Sequence, residues 1–205
     1  MDDAAPAPPL SEPPARDWSL LPIDMVCMIF AKAGAVDVLM GAGLVCHSWL
    51  EAAKLPEVWR VVDMENHEAV LLKDQTVLRA MARAAVHRSN GQLRVFASKL
   101  FVNHKLMKFI VDRSPCLTNL RLISCCDVFS KRLAKVTLRK SPLLELRSLE
   151  LDDTHLTLGR LTAVLESCPL LEVLRVRNCF KIYDDENEKA HTLQAKFPGI
   201  KILTL

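Results

Sequence analysis

The sequence predicts an α+β chain in which a short helical segment precedes a repeating α/β region with a parallel sheet of about five strands. Three observations support this fold class. Half of the 205 residues are hydrophobic, which is enough to bury a core. An apolar stripe with helical spacing stands near the start, and a short leucine pattern recurs through the second half. The predicted organisation is a tail over residues 1–16, the helical segment over 17–64 and the repeating region over 65–205.

The segment 17–64 is predicted to form three short helices. Pro22 suits the first helical turn, because the N–H that it lacks would be unpaired there anyway, and Gly34 ends that helix. Further helices are expected over 36–40 and 44–55. The stripe of the first helix consists of Ile23, Val26, Ile29 and Phe30. About 48 residues are too few for a comfortable core of their own, so we expect some of these side chains to pack against another domain or a partner protein.

The region that follows repeats the pattern L-x-x-L-x-L. Four copies begin at Leu117, Leu146, Leu171 and Ile200, and a weaker copy begins at Leu93. Successive copies start 24 to 29 residues apart, which is the spacing of leucine-rich repeats. Three residues after the last leucine position stand Cys125, Thr154 and Cys179, in the slot where leucine-rich repeats place Asn, Cys or Thr. The pattern therefore predicts a short leucine-rich-repeat solenoid.

The alternation within each copy places two apolar side chains on one face of a strand. Helical stripes stand between the strands, and one of them is expected around Leu133 and Val136. A single strand and helix cannot close a core, but stacked copies can. The strands are therefore expected to line the concave side and the helices the outside.

The composition argues against several function classes. Only six glycines are present, which disfavours a glycine-rich phosphate loop, and the seven cysteines show no paired C-x-x-C spacing for zinc. Cys46 and His47 are adjacent and would point apart on a helix, so we expect no catalytic residues, no metal and no cofactor.

The charge is unevenly distributed along the chain. Residues 79–147 contain 15 Lys and Arg against 3 Asp and Glu, although the whole chain carries only +3. A net charge this small does not indicate a nucleic-acid partner. On the outer helices the basic residues form either a solvated face or a surface for an acidic partner.

The N-terminal sequence and the apolar stretches bear on where in the cell the protein is expected. Asp24 and Asp37 interrupt the most apolar stretches, so no membrane span is expected. The start lacks the basic residues of a secretory signal. Residues 1–16 are rich in proline and alanine and are predicted to be a disordered tail. Together with the odd number of cysteines, these features favour the cytoplasm, the nucleus or both.

Three blocks of the helical segment resemble a known motif. The run from Trp18 to Phe30 contains Leu21-Pro22, the run Leu44-Val45-Cys46-His47-Ser48-Trp49 follows, and Trp59 closes the series. In this order and spacing they resemble an F-box. With the repeats, the chain resembles F-box proteins of the leucine-rich-repeat class, most like the short plant members.

The resemblance implies a non-enzymatic role. Proteins of this class are substrate receptors of SKP–cullin–F-box ubiquitin ligases, in which the F-box docks on an SKP-type adaptor and, through it, on cullin and RING subunits. The distal domain captures an unidentified target protein. Carried onto this sequence, the adaptor-binding residues are Leu21, Pro22, Met25, Ile29, Val45, Cys46, Trp49 and Trp59. An alternative is a leucine-rich-repeat binding scaffold with no ligase role.

The strand positions between the leucines are where contact with a target is expected. Arg121, Glu150 and Arg175 occupy equivalent positions in three successive repeats and alternate in charge. They are candidate substrate-binding residues, but they are equally suited to pairing with one another across the strands. Both interpretations are open at the level of the sequence.

Overall fold

The computed structural model describes residues 17–125, 128–129, 143–179 and 190–204. The tail predicted over residues 1–16 and the helix predicted around Leu133 and Val136 lie outside these residues. In the described part, a group of short helices comes first and a six-stranded parallel sheet follows.

Three helices form the first group: α1 (Ile23–Ala33), α2 (Ala35–Met40) and α3 (His47–Ala52). Gly34 separates the first two with φ 89°, a left-handed conformation that costs glycine little. A Cβ at position 43 would lie only 3.0 Å from the Cβ of Ala53. Because Gly43 has no Cβ, the chain can pass this close to the end of α3.

The third helix is shorter than the predicted span 44–55. Residues 42–44 form a 3-10 turn, and Cys46 is extended with φ −158° and ψ 177°, so the α-helix cannot begin before His47. Residues 56–59 then form a second tight turn that ends at Trp59.

The sheet has one strand more than predicted. Its strands are β1 (Val61–Met64), β2 (Val95–Lys99), β3 (Asn119–Ile123), β4 (Ser148–Asp152), β5 (Val173–Arg177) and β6 (Lys201–Thr204). Each pairs in parallel with the next, so the spatial order is the chain order. The prediction of about five strands is therefore wrong by one. The additional strand is β1, which lies within 17–64 and pairs with β2.

Helices connect the strands, as parallel pairing requires. They are α4 (Ala69–Leu72), α5 (Gln75–Arg88), α6 (His104–Arg113), α7 (Leu158–Leu165) and α8 (Ala190–Lys196). The strands alternate between buried and more exposed residues, and the inward leucines sit in register, as Leu120, Leu149 and Leu174 show. These leucines join the buried residues of the helices in one hydrophobic core that also includes Phe30 and Trp59 of the first segment.

The backbone hydrogen bonds and dihedral angles recur with the same period as the leucines. Each of β2 to β5 begins where two consecutive N–H groups donate to one carbonyl of the preceding repeat. Each of these strands is also followed directly by a residue with left-handed φ, and after β2, β3 and β4 the N–H of this residue donates to the last residue of the next strand. The accepting carbonyls belong to Arg60, Arg94, Thr118 and Arg147, and the left-handed residues are Leu100, Ser124, Asp153 and Asn178.

The predicted slot residues are buried at the turns that follow the strands. Cys125, Thr154 and Cys179 are all below 5% exposed. The Sγ of Cys125 lies 3.2 Å from the carbonyl oxygen of Ile123, and the Oγ1 of Thr154 lies 3.0 Å from the Sγ of Cys179. Cys125 therefore gives the turn after β3 a polar contact with buried backbone, whereas Thr154 and Cys179 contact each other and link two successive turns.

Candidate docking surfaces

The N-terminal turn of the described chain is tied to α3 by side chains that cross between them. The Nε1 of Trp49 donates to the carbonyl of Trp18 over 3.1 Å, and the hydroxyl of Ser48 donates to that of Ser19 over 3.3 Å. The Trp49 ring also packs edge-on against Trp18 and Phe30, with centroids 6.5 and 5.5 Å apart. These contacts hold residues 18–20 beside the segment that leads into α3.

This arrangement leaves large apolar side chains in contact with solvent. Leu20 is 77% exposed and Leu44 72% exposed, and about half of Trp18, Met25 and Val45 is exposed. We call these five residues the front patch. Single exposed leucines are ordinary on a protein surface, whereas five large exposed apolar side chains within one short segment, residues 18–45, indicate a surface that a partner covers.

The residues predicted to bind an adaptor divide into three groups by burial. Pro22, Met25 and Val45 are exposed, whereas Leu21, Ile29 and Cys46 are half-buried and border the core. Trp49 is 8% exposed, and Trp59 is 0% exposed. The structure adds Trp18, Leu20 and Leu44, which the sequence analysis did not select. Leu20 was missed because it precedes Leu21-Pro22, where nothing in the local pattern shows which leucine faces outward.

Trp59 belongs to the interior, which corrects its assignment as an adaptor contact. Its Nε1 donates to the carbonyl of Ala53 over 2.9 Å, and the guanidinium carbon of Arg88 lies 5.3 Å from the centre of its ring. It therefore joins the end of the helical segment to α5 and presents no surface to a partner. The burial of Trp49 likewise restricts its role to supporting the residues around it.

Cys46 lies beside the front patch in an environment that favours its thiolate. The Ser48 hydroxyl, whose oxygen lies 3.1 Å from the Sγ, lowers the pKa of Cys46, and the backbone N–H of Trp49 adds to this effect. Burial has the opposite effect at Cys168 and raises the pKa of that thiol to about 12.

Iodoacetamide at pH 7 is therefore expected to alkylate Cys46 well before Cys168, because the thiolate is the species that reacts. The rates are obtained by mass spectrometry of peptides from timed samples. In urea the two cysteines should react at similar rates, which provides the control. A Cys168 that reacts as fast as Cys46 in the native chain would contradict this assignment.

The second surface is the face of the sheet that points away from the helices. Arg121, Glu150 and Arg175 sit side by side there on β3, β4 and β5. Glu150 lies 3.4 Å from the Nε of Arg121 and 3.3 Å from the Nη1 of Arg175. Arg121 also reaches Glu65, just after β1, over 3.3 Å. We call these four residues the charged row.

The charged row shows that the candidate substrate-binding residues pair across the strands, which is one of the two interpretations that the sequence left open. Ala97 occupies the position on β2 between β1 and Arg121, and its small side chain leaves room for the contact with Glu65. The two arginines remain 46% and 44% exposed, although their carboxylate partners Glu65 and Glu150 are only 9% and 28% exposed. Their outer N–H groups therefore remain accessible to a ligand.

The part of the chain that the structure describes gives no support for a metal site or a membrane-spanning helix. In residues 17–125, 128–129, 143–179 and 190–204, no three His, Cys, Asp or Glu side chains are grouped so as to hold a metal ion. Within the same ranges, no helix has the length and apolar character needed to cross a membrane.

Comparison with known proteins identifies the first segment. The family model of the F-box domain matches residues 18–61. The match contains α1 to α3, the front patch and Trp59, and it ends at the first residue of β1.

Curated relatives from Arabidopsis thaliana extend the similarity to nearly the whole chain. Putative F-box/LRR-repeat protein 9 is 30% identical over 195 residues, which cover 93% of this chain and 77% of that protein. Putative F-box/LRR-repeat protein 23 is 31% identical over 93% of this chain, and F-box protein SKIP19 is 31% identical over 81%. The chain spans only 42% and 56% of the length of the last two. The F-box match at the front and the extent of the first of these relatives lead to one conclusion: this chain belongs to the plant F-box/LRR-repeat protein family.

Proposed function

We propose that this chain is a non-enzymatic substrate-recognition subunit of an SCF-type ubiquitin ligase. In this role the F-box docks on an SKP-type adaptor, and the repeats hold a target protein for ubiquitination. The observation that carries the proposal is the front patch, where large apolar side chains of the F-box are exposed although the core beneath them is complete.

The front patch has the character of a docking surface. Burial of apolar area contributes about 25 cal/mol per Å², so residues as exposed as Leu20 and Leu44 have much to gain from a partner. Trp49 and Phe30 support the patch from below through their edge-on contact. The patch is therefore prepared for binding before a partner arrives, which lowers the entropic cost of association.

We further infer that the sheet and its helices form a short leucine-rich-repeat solenoid. Support comes from the sequential parallel strands, the leucines in register and the recurring left-handed residue after the strands. The charged row lies on the exposed face of this sheet. We propose that Arg121, Glu150 and Arg175 contact the target there, since each arginine retains N–H groups that Glu150 does not engage.

The chemistry of ubiquitin transfer would then belong to other subunits. The adaptor would link this chain to cullin and RING subunits, and the chain would act by bringing its target near the reacting groups. We propose that it works in the cytoplasm, the nucleus or both, in keeping with its odd number of cysteines.

Binding to a purified SKP-type adaptor tests the docking. Leu44→Asp with Val45→Asp places two charges in the front patch and should weaken binding by about 2 kcal/mol or more, or roughly thirtyfold, if these are central contacts. The matched control is Leu71→Asp with Leu72→Asp, an adjacent pair on α4 that is 69% and 75% exposed. The control should bind as the wild type does, and isothermal titration calorimetry measures both.

Two results would count against the proposal. One is a wild-type chain that binds no SKP-type adaptor, which would leave the repeat scaffold without a ligase role as the better description. The other is an equal loss of affinity in the two double variants, which would show that the effect of added charge is not specific to the front patch.

A further inference from the structure

A cavity lies at the outer surface of the repeats, between the ends of α5 and α6. It measures about 320 Å³ and is lined by Val86, His87, Asn90, Gly91 and Arg113. The two helices pack against each other, and the lining residues come from the last turn of each helix and from the turn after α5. The cavity shares no residue with the front patch or the charged row.

Two arginines stack on one aromatic ring beside this cavity: Arg113, which lines it, and Arg83, which does not. The guanidinium carbon of Arg83 lies 4.7 Å from the centre of the Phe109 ring, and that of Arg113 lies 4.9 Å from it. Arg83 stands one turn before His87 on α5, and Phe109 stands one turn before Arg113 on α6, so the four side chains form one cluster. A stacked guanidinium keeps its N–H edge free, and this edge is the part that grips anions.

The surroundings leave this positive charge without a counter-charge. Between residues 75 and 125 the sequence contains a single acidic residue, Asp112, and its carboxylate pairs with Lys108. Among the described residues, no carboxylate lies within ion-pair distance of Arg83, His87 or Arg113. The two arginines of the charged row, in contrast, share Glu150.

We propose that Arg83, His87, Asn90 and Arg113 form a binding site for a phosphate monoester. Such a group carries about −1.5 to −2 charges and three acceptor oxygens, which match two guanidinium forks and the neighbouring amide better than a carboxylate does. The cavity is large enough for the phosphate and the atoms next to it. The ester belongs either to a phosphorylated side chain of a bound protein or to a small free metabolite, and both present the same group. This site does not depend on adaptor docking.

Titration calorimetry with the full chain tests the site. The probes are free O-phosphoserine, a short neutral peptide that contains phosphoserine, and the same peptide without phosphate. The wild type should bind both phosphorylated probes and not the third. Arg83→Gln with Arg113→Gln should weaken binding at least about tenfold, because each arginine contributes charged hydrogen bonds. Arg160→Gln, on α7, removes a cation elsewhere and should leave the affinity unchanged.

The variants also separate binding from folding. Arg83→Lys with Arg113→Lys keeps the charge and removes the planar fork, so it should bind with intermediate affinity and melt as the wild type does. If the phosphopeptide binds with higher affinity than free O-phosphoserine, the ligand is a phosphorylated protein. If the two affinities are equal, the ligand is a small molecule. The proposal fails if the wild type does not bind the phosphorylated probes, if the glutamine variant binds as the wild type does, or if Arg160→Gln loses as much affinity.

Discussion

Trp59→Ala is expected to lower the free energy of unfolding by about 3–5 kcal/mol, the range for removing a large buried aromatic side chain. Trp59 is 0% exposed, and its Nε1 is the donor to the carbonyl of Ala53. The substitution opens a cavity between the F-box and α5 and also leaves that buried carbonyl without its donor. Urea denaturation followed by circular dichroism measures the change.

Trp18→Ala provides the matched control, since it removes the same side chain from a position that is 51% exposed. Trp18→Ala should lower the free energy of unfolding by about 1 kcal/mol or less, which is the contribution of the edge-on contact between Trp18 and Trp49. The same variant should weaken adaptor binding, because Trp18 belongs to the front patch. Equal losses of stability at Trp18 and Trp59 would show that the two tryptophans are not divided between surface and core as described.

Leu149→Ala is expected to cost about 2–5 kcal/mol of stability. Leu149 is fully buried in β4, and its partners in register are Leu120 and Leu174 on the neighbouring strands. Because these three leucines form one row of the core, the loss of the central one leaves a gap that its two neighbours cannot both fill. Denaturation experiments and hydrogen exchange of the amides in β3 to β5 measure the effect.

Leu144→Ala, the control, removes the same atoms two positions before Leu146, at a site that is 53% exposed. It should change stability by no more than about 0.5 kcal/mol. If Leu149→Ala were as mild as Leu144→Ala, the row of leucines would not be the centre of the core.

Most of the parallel strands were predictable because the spacing of their leucines is imposed by packing. An L-x-L strand has only one way to face the core, so Leu120, Leu149 and Leu174 fall into register without further information. β1 was missed because Val61–Met64 lacks the leucine pattern, and its pairing with β2 is a long-range contact that four residues cannot reveal. The left-handed residues after the strands, such as Leu100 and Asn178, share no residue type that marks them in advance.

The docking surface was predictable in outline but not residue by residue. The motif that resembles an F-box was found where the F-box model matches, over residues 18–61. Periodicity shows which side chains share a face, but it does not show which face a neighbouring element covers. Trp59 is buried because α5 and Arg88 lie against it, and both come later in the chain. Leu20 and Leu44 are exposed because nothing in the described chain covers them.

The position of β1 makes the two functional parts of the molecule mechanically inseparable. The F-box match ends at the residue with which the sheet begins, so no flexible linker separates the two. A chain shortened to start at residue 65 would lose its edge strand together with the F-box and would expose the unpaired backbone of β2, a template for aggregation. In the role that we propose, the same continuity would hold a bound target at a fixed angle to the adaptor.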